Sequence, residues 1–313
     1  IPKFGGRLTL LHMDKNSGSG AMPRNKGAYF SRGEYLWFVD SDDMLTKTAI
    51  EELYTLAKDY DADVVCCEKY YYVNDDGTGI HIRTDANPNF EFVDKPTFET
   101  ENLAERVQKM LQWKYQVAQP FKLVRRSLIF ENEIFFPHTC PGDDNVWTYG
   151  LLFYAKKFLR VPNVVYICRL SEGSIMRSKK NAQQMIIFRI NPVILGLKAL
   201  DKLMNKHEFF QQNPQYRYAV LESLANGGIW NLLNVSFQLP PFAVYETIQQ
   251  EFGDNLGEQD VLVSVLCTIS ITQQKMAAVN QQRFNQFAAQ AQEQVKKFNE
   301  FAAQAGKYRF RSS

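Results

Sequence analysis

Short apolar runs alternate with stretches of helical spacing along the first half of the chain, and one run ends in a cluster of acids. Residues 35–39 (YLWFV) are apolar, and Asp40, Asp42 and Asp43 follow them. This pattern is typical of a buried strand that ends at a polar edge of a sheet. Ligands of open α/β sheets bind beyond the carboxyl ends of the strands, and clustered carboxylates suit Mg²⁺ or Mn²⁺. Because these ions suit a diphosphate, the pattern predicts a metal-assisted nucleotide site here.

The same periodicities predict an α/β domain with helices on the faces of a sheet. The expected strands are 8–13, 35–39, 62–73 and 164–168. The expected helices are 23–31, 46–60, 102–112, a segment that ends near 134, and one that begins at 145. A glycine-rich loop at 16–20 follows the first strand, and 74–79 (NDDGTG) is a hairpin signal. Asp43 is expected to cap the second of these helices, and Asp143 or Asp144 the last.

Helical periodicity dominates after residue 177, where Gln and Asn become frequent. We therefore expect an α/β domain over 1–177 and a mainly helical domain over 178–313, with a long amphipathic terminal helix. Within it, FNQFAAQA at 284–291 recurs as FNEFAAQA at 298–305, and this spacing of two heptads places the phenylalanines on one stripe. The stripe is consistent with packing on its own domain, with a homodimer seam, or with docking on a membrane surface.

The composition indicates a globular protein and excludes several classes. Apolar residues make up 45% of the 313 residues, enough for a packed core, and the net charge of +2 is too small to predict nucleic-acid binding. Five cysteines, an odd number with two adjacent, indicate reduced thiols in a cytosolic protein. No cysteine or histidine set has zinc spacing. No apolar run is long enough to span a bilayer.

Four segments between residues 16 and 177 resemble, in order, the motifs of glycosyltransferase family 2. The first resembles the family's signature of a glycine-containing loop, an Arg-Asn-x-Gly helix at 24–27, and a strand that ends in Asp-x-Asp at 40–42. The others are KLVRRS at 122–127, Gly-Asp-Asp at 142–144, and YICRLSEGSI at 166–175. The segment 62–65 also resembles the family's next strand.

This resemblance implies a GT-A fold, which is a Rossmann-like α/β sheet, followed by a helical C-terminal domain. It implies an inverting transfer of a sugar from a nucleotide-diphosphate donor, most simply a UDP-sugar, to a hydroxyl of a glycan or lipid-linked acceptor. The implied setting is the bacterial cytoplasm, with peripheral contact at the inner face of the membrane, in the synthesis of a surface polysaccharide. Asp42 would be the direct ligand of Mn²⁺ or Mg²⁺, with Asp40 as a second ligand or facing the ribose or sugar. Asp144 matches the family's catalytic Asp, the general base.

The implied donor-binding residues are Arg24, Asn25, Asp40, Asp42 and Arg169. Each candidate also has a plainer interpretation. The acids at 143 and 144 would then only cap a helix, and the basic and amide side chains at 24, 25 and 169 would only be surface groups. Three aromatic residues, Trp113, Tyr115 and Trp147, suit stacking on a sugar ring, although core packing is the more common role of such side chains.

Two departures from the family pattern leave a second function class open. The family's first strands, which hold the nucleotide base and ribose, have no counterpart before the glycine loop, so we expect an incomplete donor pocket. Asp143 stands where the family more usually has Glu. A non-catalytic helical assembly subunit with a degenerate transferase domain is the alternative, and a metal-dependent phosphohydrolase is disfavoured because no second metal motif is evident.

Overall fold

The computed structural model describes residues 5–73, 81–83, 90–139, 141–169, 179–236, 246–248, 250 and 276–297. Several predicted features lie outside these residues. They are the hairpin turn at 74–79, the end of the last family motif at 170–175, and the second copy of the repeat at 298–305.

Two mixed sheets form the framework of the described part of the chain. The first has the strand order β1 (Tyr35–Trp37), β7 (Lys122–Arg125), β3 (Val64–Cys67), β8 (Phe158–Val161) and β6 (Thr97–Phe98). In it β3 and β8 run parallel, and β7 lies antiparallel between β1 and β3. The second has the order β2 (Met44–Leu45), β9 (Tyr166–Arg169), β4 (Tyr70–Val73) and β5 (His81–Arg83).

The described residues also form α-helices, and 246–248 and 250 are helical in addition to those named next. The named helices are α1 (Ala21–Phe30), α2 (Ala49–Asp59), α3 (Leu103–Leu111), α4 (Arg126–Glu131), α5 (Asp143–Tyr154), α6 (Ala182–Asn191), α7 (Leu197–Asn205), α8 (Glu208–Gln212), α9 (Pro214–Ser236) and α10 (276–297). A π-helical turn, Pro192–Gly196, joins α6 to α7, and a 3₁₀ turn, Gln119–Phe121, precedes β7. The predicted α/β sheet domain and the helical region after it are therefore confirmed.

The first sheet is covered on both faces because the residues of β3 alternate between two cores. Val64 and Cys66 face the core that includes α5, whereas Val65 and Cys67 face the core built with α2. All four are buried. Successive side chains of a strand point to opposite faces, so a fully apolar strand of this kind needs a helix on each side.

Two strand predictions are wrong. The predicted strand at 62–73 is two strands in different sheets, and the chain crosses between them at Glu68, which pairs with Arg160 of β8. The predicted strand at 8–13 is irregular, with Leu10 68% exposed. Among the described strands none pairs with it, and an apolar pattern without a ladder partner does not make a strand.

Opposite charges lie at the two ends of helix α5, and the positive one belongs to Arg106 of α3. Gly142, at φ +99°, precedes it, and a Cβ there would lie 2.8 Å from the Pro192 side chain, so only glycine fits. The acids at 143 and 144 stand in the first turn, where the helix dipole favours anions. They do not cap a helix from 145 as predicted, because the helix already begins at Asp143. At the other end buried Arg106 donates to the carbonyls of Leu152 and Ala155, at 2.8 and 2.5 Å.

The contacts divide the chain into two compact units, Ile1–Glu258 and Gln259–Ser313. In the first unit the helices after α5 pack against the sheet domain; Tyr154, for example, donates to the Leu203 carbonyl at 2.8 Å. The predicted domain boundary at 177 stays a prediction. In the second unit the described element is α10, on which Phe284 and Phe287 are exposed, so the three interpretations of the repeat remain open.

Among the described residues, no helix is both long enough and apolar enough to cross a bilayer.

Candidate active site

One guanidinium joins the two acidic segments that the sequence singles out. Arg24 Nη2 lies 2.8 Å from Asp40 Oδ1, and its Nη1 lies 2.9 Å from Asp143 Oδ2 and 3.4 Å from Asp144 Oδ1. Gly20 makes room for this side chain, since a Cβ there would lie 2.9 Å from Arg24 Cζ. The structure therefore brings together Arg24, Asp40 and Asp144, three of the predicted site residues.

Burial raises the pKa values of the two acids at the start of α5. Burial raises the pKa of Asp143 to about 6, with a further contribution from the charge of Asp144, against the lowering effect of Arg24. Burial also raises the pKa of Asp144, although Arg24 and the backbone N–H of Gln119 favour its charged form. Two acids this close titrate as a pair, so the site binds a proton at higher pH than isolated carboxyls do.

Gln119 is a second link between the two acidic segments, and it was not among the predicted site residues. Its backbone N–H donates to Asp144 Oδ2 at 3.3 Å, and its Nε2 donates to Asp40 Oδ1 at 3.1 Å. The residue is fully buried, and its Oε1 has no hydrogen-bond partner among the described residues. Gln119 belongs to no motif that the sequence analysis identified, so the sequence offered no signal for it.

The second sheet contributes a polar group beside the acidic loop. Tyr166 donates to Asp43 Oδ2 at 2.8 Å, and the Arg169 backbone N–H donates to Asp43 Oδ1 at 2.8 Å. Arg169 Nε donates to the Asp42 carbonyl. Thr48, not Asp43, precedes α2, so the prediction that Asp43 caps this helix is wrong. Asp43 instead anchors the loop to β9, which places Arg169 next to Asp42.

Asn25 points its side chain at the protein backbone. Its Nδ2 donates to the Phe136 carbonyl at 2.8 Å, and its Oδ1 accepts from the Phe136 N–H at 3.0 Å. This pair of bonds ties α1 to the loop before α5. A direct contact between Asn25 and the nucleotide-sugar donor stays a prediction.

The chemistry of the donor set fits a divalent ion that is shared with a phosphate ligand. Asp40 and Asp42 offer carboxylate oxygens at the end of β1, and the Asp40 side chain is 39% exposed. Among the described residues no group of three or more His, Cys, Asp or Glu side chains could hold a metal alone. Mg²⁺ is commonly bound by one or two carboxylates together with substrate phosphates, and its binding by Asp40 and Asp42 stays a prediction.

The three aromatic candidates differ in exposure. Tyr115 and Trp147 are buried, and Trp147 stacks on Phe136 with ring centroids 4.6 Å apart, so core packing is confirmed for both. Trp113 is 44% exposed and adopts a left-handed backbone, φ +58°. Of the three, only Trp113 therefore has a surface that a ligand could contact.

Residues 1–130 match the sequence model of a protein family described as "Glycosyl transferase family 2". Residues 1–130 therefore belong to glycosyltransferase family 2. The matched region contains Arg24, the acids at the end of β1, and Gln119. Asp144 lies beyond it.

Two bacterial proteins similar to this chain are both named as transferases. The chain is 32% identical over 183 residues to "Glycosyltransferase GlyG" of Streptococcus pneumoniae serotype 4, covering 55% of this chain and 56% of GlyG. It is 29% identical over 161 residues to "Poly(ribitol-phosphate) beta-N-acetylglucosaminyltransferase TarP" of Staphylococcus aureus, covering 50% of this chain and 44% of TarP. The chain thus spans about half the length of the curated relatives it matches.

A solved structure of S. aureus TarS 1–349 in complex with UDP-GlcNAc aligns with 87% of this chain and 78% of its own, at 19% identity. The TM-score is 0.45, which is too low to support an argument about the fold.

Proposed function

We propose that the full-length protein is an inverting, metal-dependent glycosyltransferase. It moves a sugar from a UDP-sugar to a hydroxyl of a glycan or lipid-linked acceptor in the synthesis of a bacterial surface polysaccharide. The observation that carries the proposal is the bridge from Arg24 to Asp40 on one side and to Asp143 and Asp144 on the other. It supports a donor-side acid and an acceptor-side base within one site. The family match and the names of the relatives support the reaction class.

Asp144 is the general base of the proposed reaction. The acceptor hydroxyl oxygen attacks the anomeric carbon while its proton passes to the Asp144 carboxylate. The bond from that carbon to the β-phosphate oxygen breaks, and the nucleoside diphosphate takes the electron pair of this bond. It leaves from the face of the sugar opposite the attacking hydroxyl. A base works best when its pKa approaches the working pH, and burial raises the pKa of Asp144 in that direction.

The donor side is formed by the end of β1 and by α1. Asp42 and Asp40 would hold the divalent ion. When bound, this ion would neutralise the negative charge that develops on the leaving diphosphate. Arg169, next to Asp42, is placed to contact the diphosphate, and Arg24 orients Asp40. Asn25 contributes to the donor side through the Phe136 backbone that it holds.

The proposed setting is the cytoplasm, at the inner face of the membrane, where lipid-linked acceptors are available. A homodimer formed through the phenylalanine stripe of α10, and contact of that stripe with the membrane surface, both remain predictions.

Binding of the leaving group tests the proposal. UDP with Mn²⁺ should raise the Tm of the full-length protein, because a ligand that binds only the native state stabilises it. Asp42→Ala should abolish the shift, whereas Asp59→Ala, an exposed acid at the end of α2, should keep it. If UDP with Mn²⁺ leaves the Tm unchanged and no UDP-sugar is consumed, the non-catalytic assembly subunit becomes the better account.

A further inference from the structure

The backbone on both sides of Gln119 is held by side chains from three different elements. The bonds are Thr148 Oγ1 to the Val117 carbonyl, Lys122 Nζ to the Ala118 carbonyl and Trp37 Nε1 to the Pro120 carbonyl, each at 2.7 Å. Thr148 and Lys122 are fully buried. Helix α5 and strands β7 and β1 therefore fix this segment, so Gln119 has little freedom to move.

From this fixed segment Gln119 reaches both halves of the site. Its backbone N–H holds Asp144, and its side-chain amide holds Asp40. The orientation of the amide is determined, because a carboxylate accepts hydrogen bonds from Nε2 and repels Oε1. Together with Arg24 these bonds close a ring in which each acid is held by both an amide and the guanidinium.

The same orientation leaves the Gln119 Oε1 buried and without a partner in the part of the chain that the structure describes. An unsatisfied buried acceptor destabilises a fold. An apolar side chain of similar length would avoid this penalty at the cost of the bond to Asp40. The amide is thus poorly explained by stability and well explained by the position it gives to Asp40.

We propose that Gln119 is a positioning residue for the transfer reaction, which fixes the donor-side acid Asp40 at a set distance from the base Asp144. This inference rests on the proposed function for the roles of the two acids. Catalytic groups must be held close to their productive geometry, and a displacement of about 1 Å can cost up to ~10²-fold in rate.

The test compares two buried glutamines of the same segment in the full-length protein. Gln119→Met removes the bond to Asp40 and the unsatisfied oxygen together, so its Tm should equal or exceed that of the wild type. Its kcat should fall about tenfold while the KM for the UDP-sugar changes little. The control is Gln116→Met, since Gln116 Oε1 accepts from the Ala118 N–H and touches neither acid. This variant should lower the Tm and retain the wild-type kcat.

The two readouts separate this inference from the proposed function. A wild type that transfers no sugar refutes the proposed function. Independently of that result, a Gln119→Met variant whose Tm falls as far as that of Gln116→Met shows that Gln119 is an ordinary structural residue. An unchanged kcat in Gln119→Met, with an active wild type, also overturns the inference.

Discussion

Arg24 Nη1 lies 2.9 Å from Asp143 Oδ2, although the two residues are 119 positions apart in the chain. The bond connects the first turn of α1 with the first turn of α5. Arg24 is also bonded to Asp40, so one cation balances acids from both sides of the site. Since this cation is largely buried, its loss should affect both stability and chemistry.

Arg24→Met leaves buried acids without their cation and should lower the free energy of unfolding by about 2–5 kcal/mol. Arg24→Lys keeps the charge, but an ammonium group cannot bridge several carboxylates as the planar guanidinium does. The free energy of unfolding of Arg24→Lys should therefore lie between those of Arg24→Met and the wild type. Urea denaturation measures the free energy of unfolding of both variants. Arg32→Met, at an exposed position just after α1, is the matched control. Equal midpoints for the Arg24→Met and Arg32→Met variants would contradict the bridging role.

The pKa of Asp143 predicts a pH-dependent stability. Its folded-state pKa of about 6 lies above the ordinary value of 3.8, so the folded protein binds this proton more tightly than the unfolded chain does. The resulting stabilisation is complete below about pH 4 and is lost as the pH rises through about 6, an effect of about 2–3 kcal/mol. Unfolding free energies at pH 4 and 7 should therefore differ more for the wild type than for Asp143→Asn. Parallel pH profiles for the two proteins would disprove the raised pKa.

Arg106 should be a determinant of stability and not of chemistry. Its guanidinium is buried against backbone carbonyls at the C-terminal end of α5, and burial lowers its pKa. Arg106→Met leaves those carbonyls without donors and should cost about 2–4 kcal/mol of unfolding free energy. Arg106→Lys should recover part of the loss, because the ammonium reaches fewer of the carbonyls. Full stability in Arg106→Met would rule out this capping role.

A substitution of Asn25 can distinguish two roles for its side chain: fixing the Phe136 backbone and contacting the nucleotide-sugar donor directly. Asn25→Asp replaces the donor to the Phe136 carbonyl with a second acceptor, and this should lower stability by about 1–3 kcal/mol. If Asn25 acts only through this loop, the dissociation constant for UDP with Mn²⁺ stays close to wild type. Calorimetric titration measures it. A large loss of UDP affinity with unchanged stability would assign Asn25 to direct donor contact instead.

The sequence predicted the parts of the site that follow from local pattern. The apolar run at 35–39 located the strand end that carries Asp40, and the motif at 142–144 located Asp144 at a helix start. It could not predict contacts that depend on how the chain crosses between sheets. Asp43 looked like a helix cap, but β9 is in reach and supplies Tyr166 and Arg169 as partners. The split of 62–73 and the role of Gln119 likewise depend on tertiary neighbours that no local pattern encodes.

The central claim is that Asp144 is the base that accepts the proton of the acceptor hydroxyl. The most direct measurement is the initial rate of transfer from UDP-GlcNAc or UDP-glucose by the full-length protein and by its Asp144→Asn variant. The amide keeps the shape of the side chain but cannot take the proton, so kcat should fall by about 10²–10⁴ while the KM for the donor stays close to wild type. An Asp144→Asn variant that transfers sugar at the wild-type rate would contradict the account.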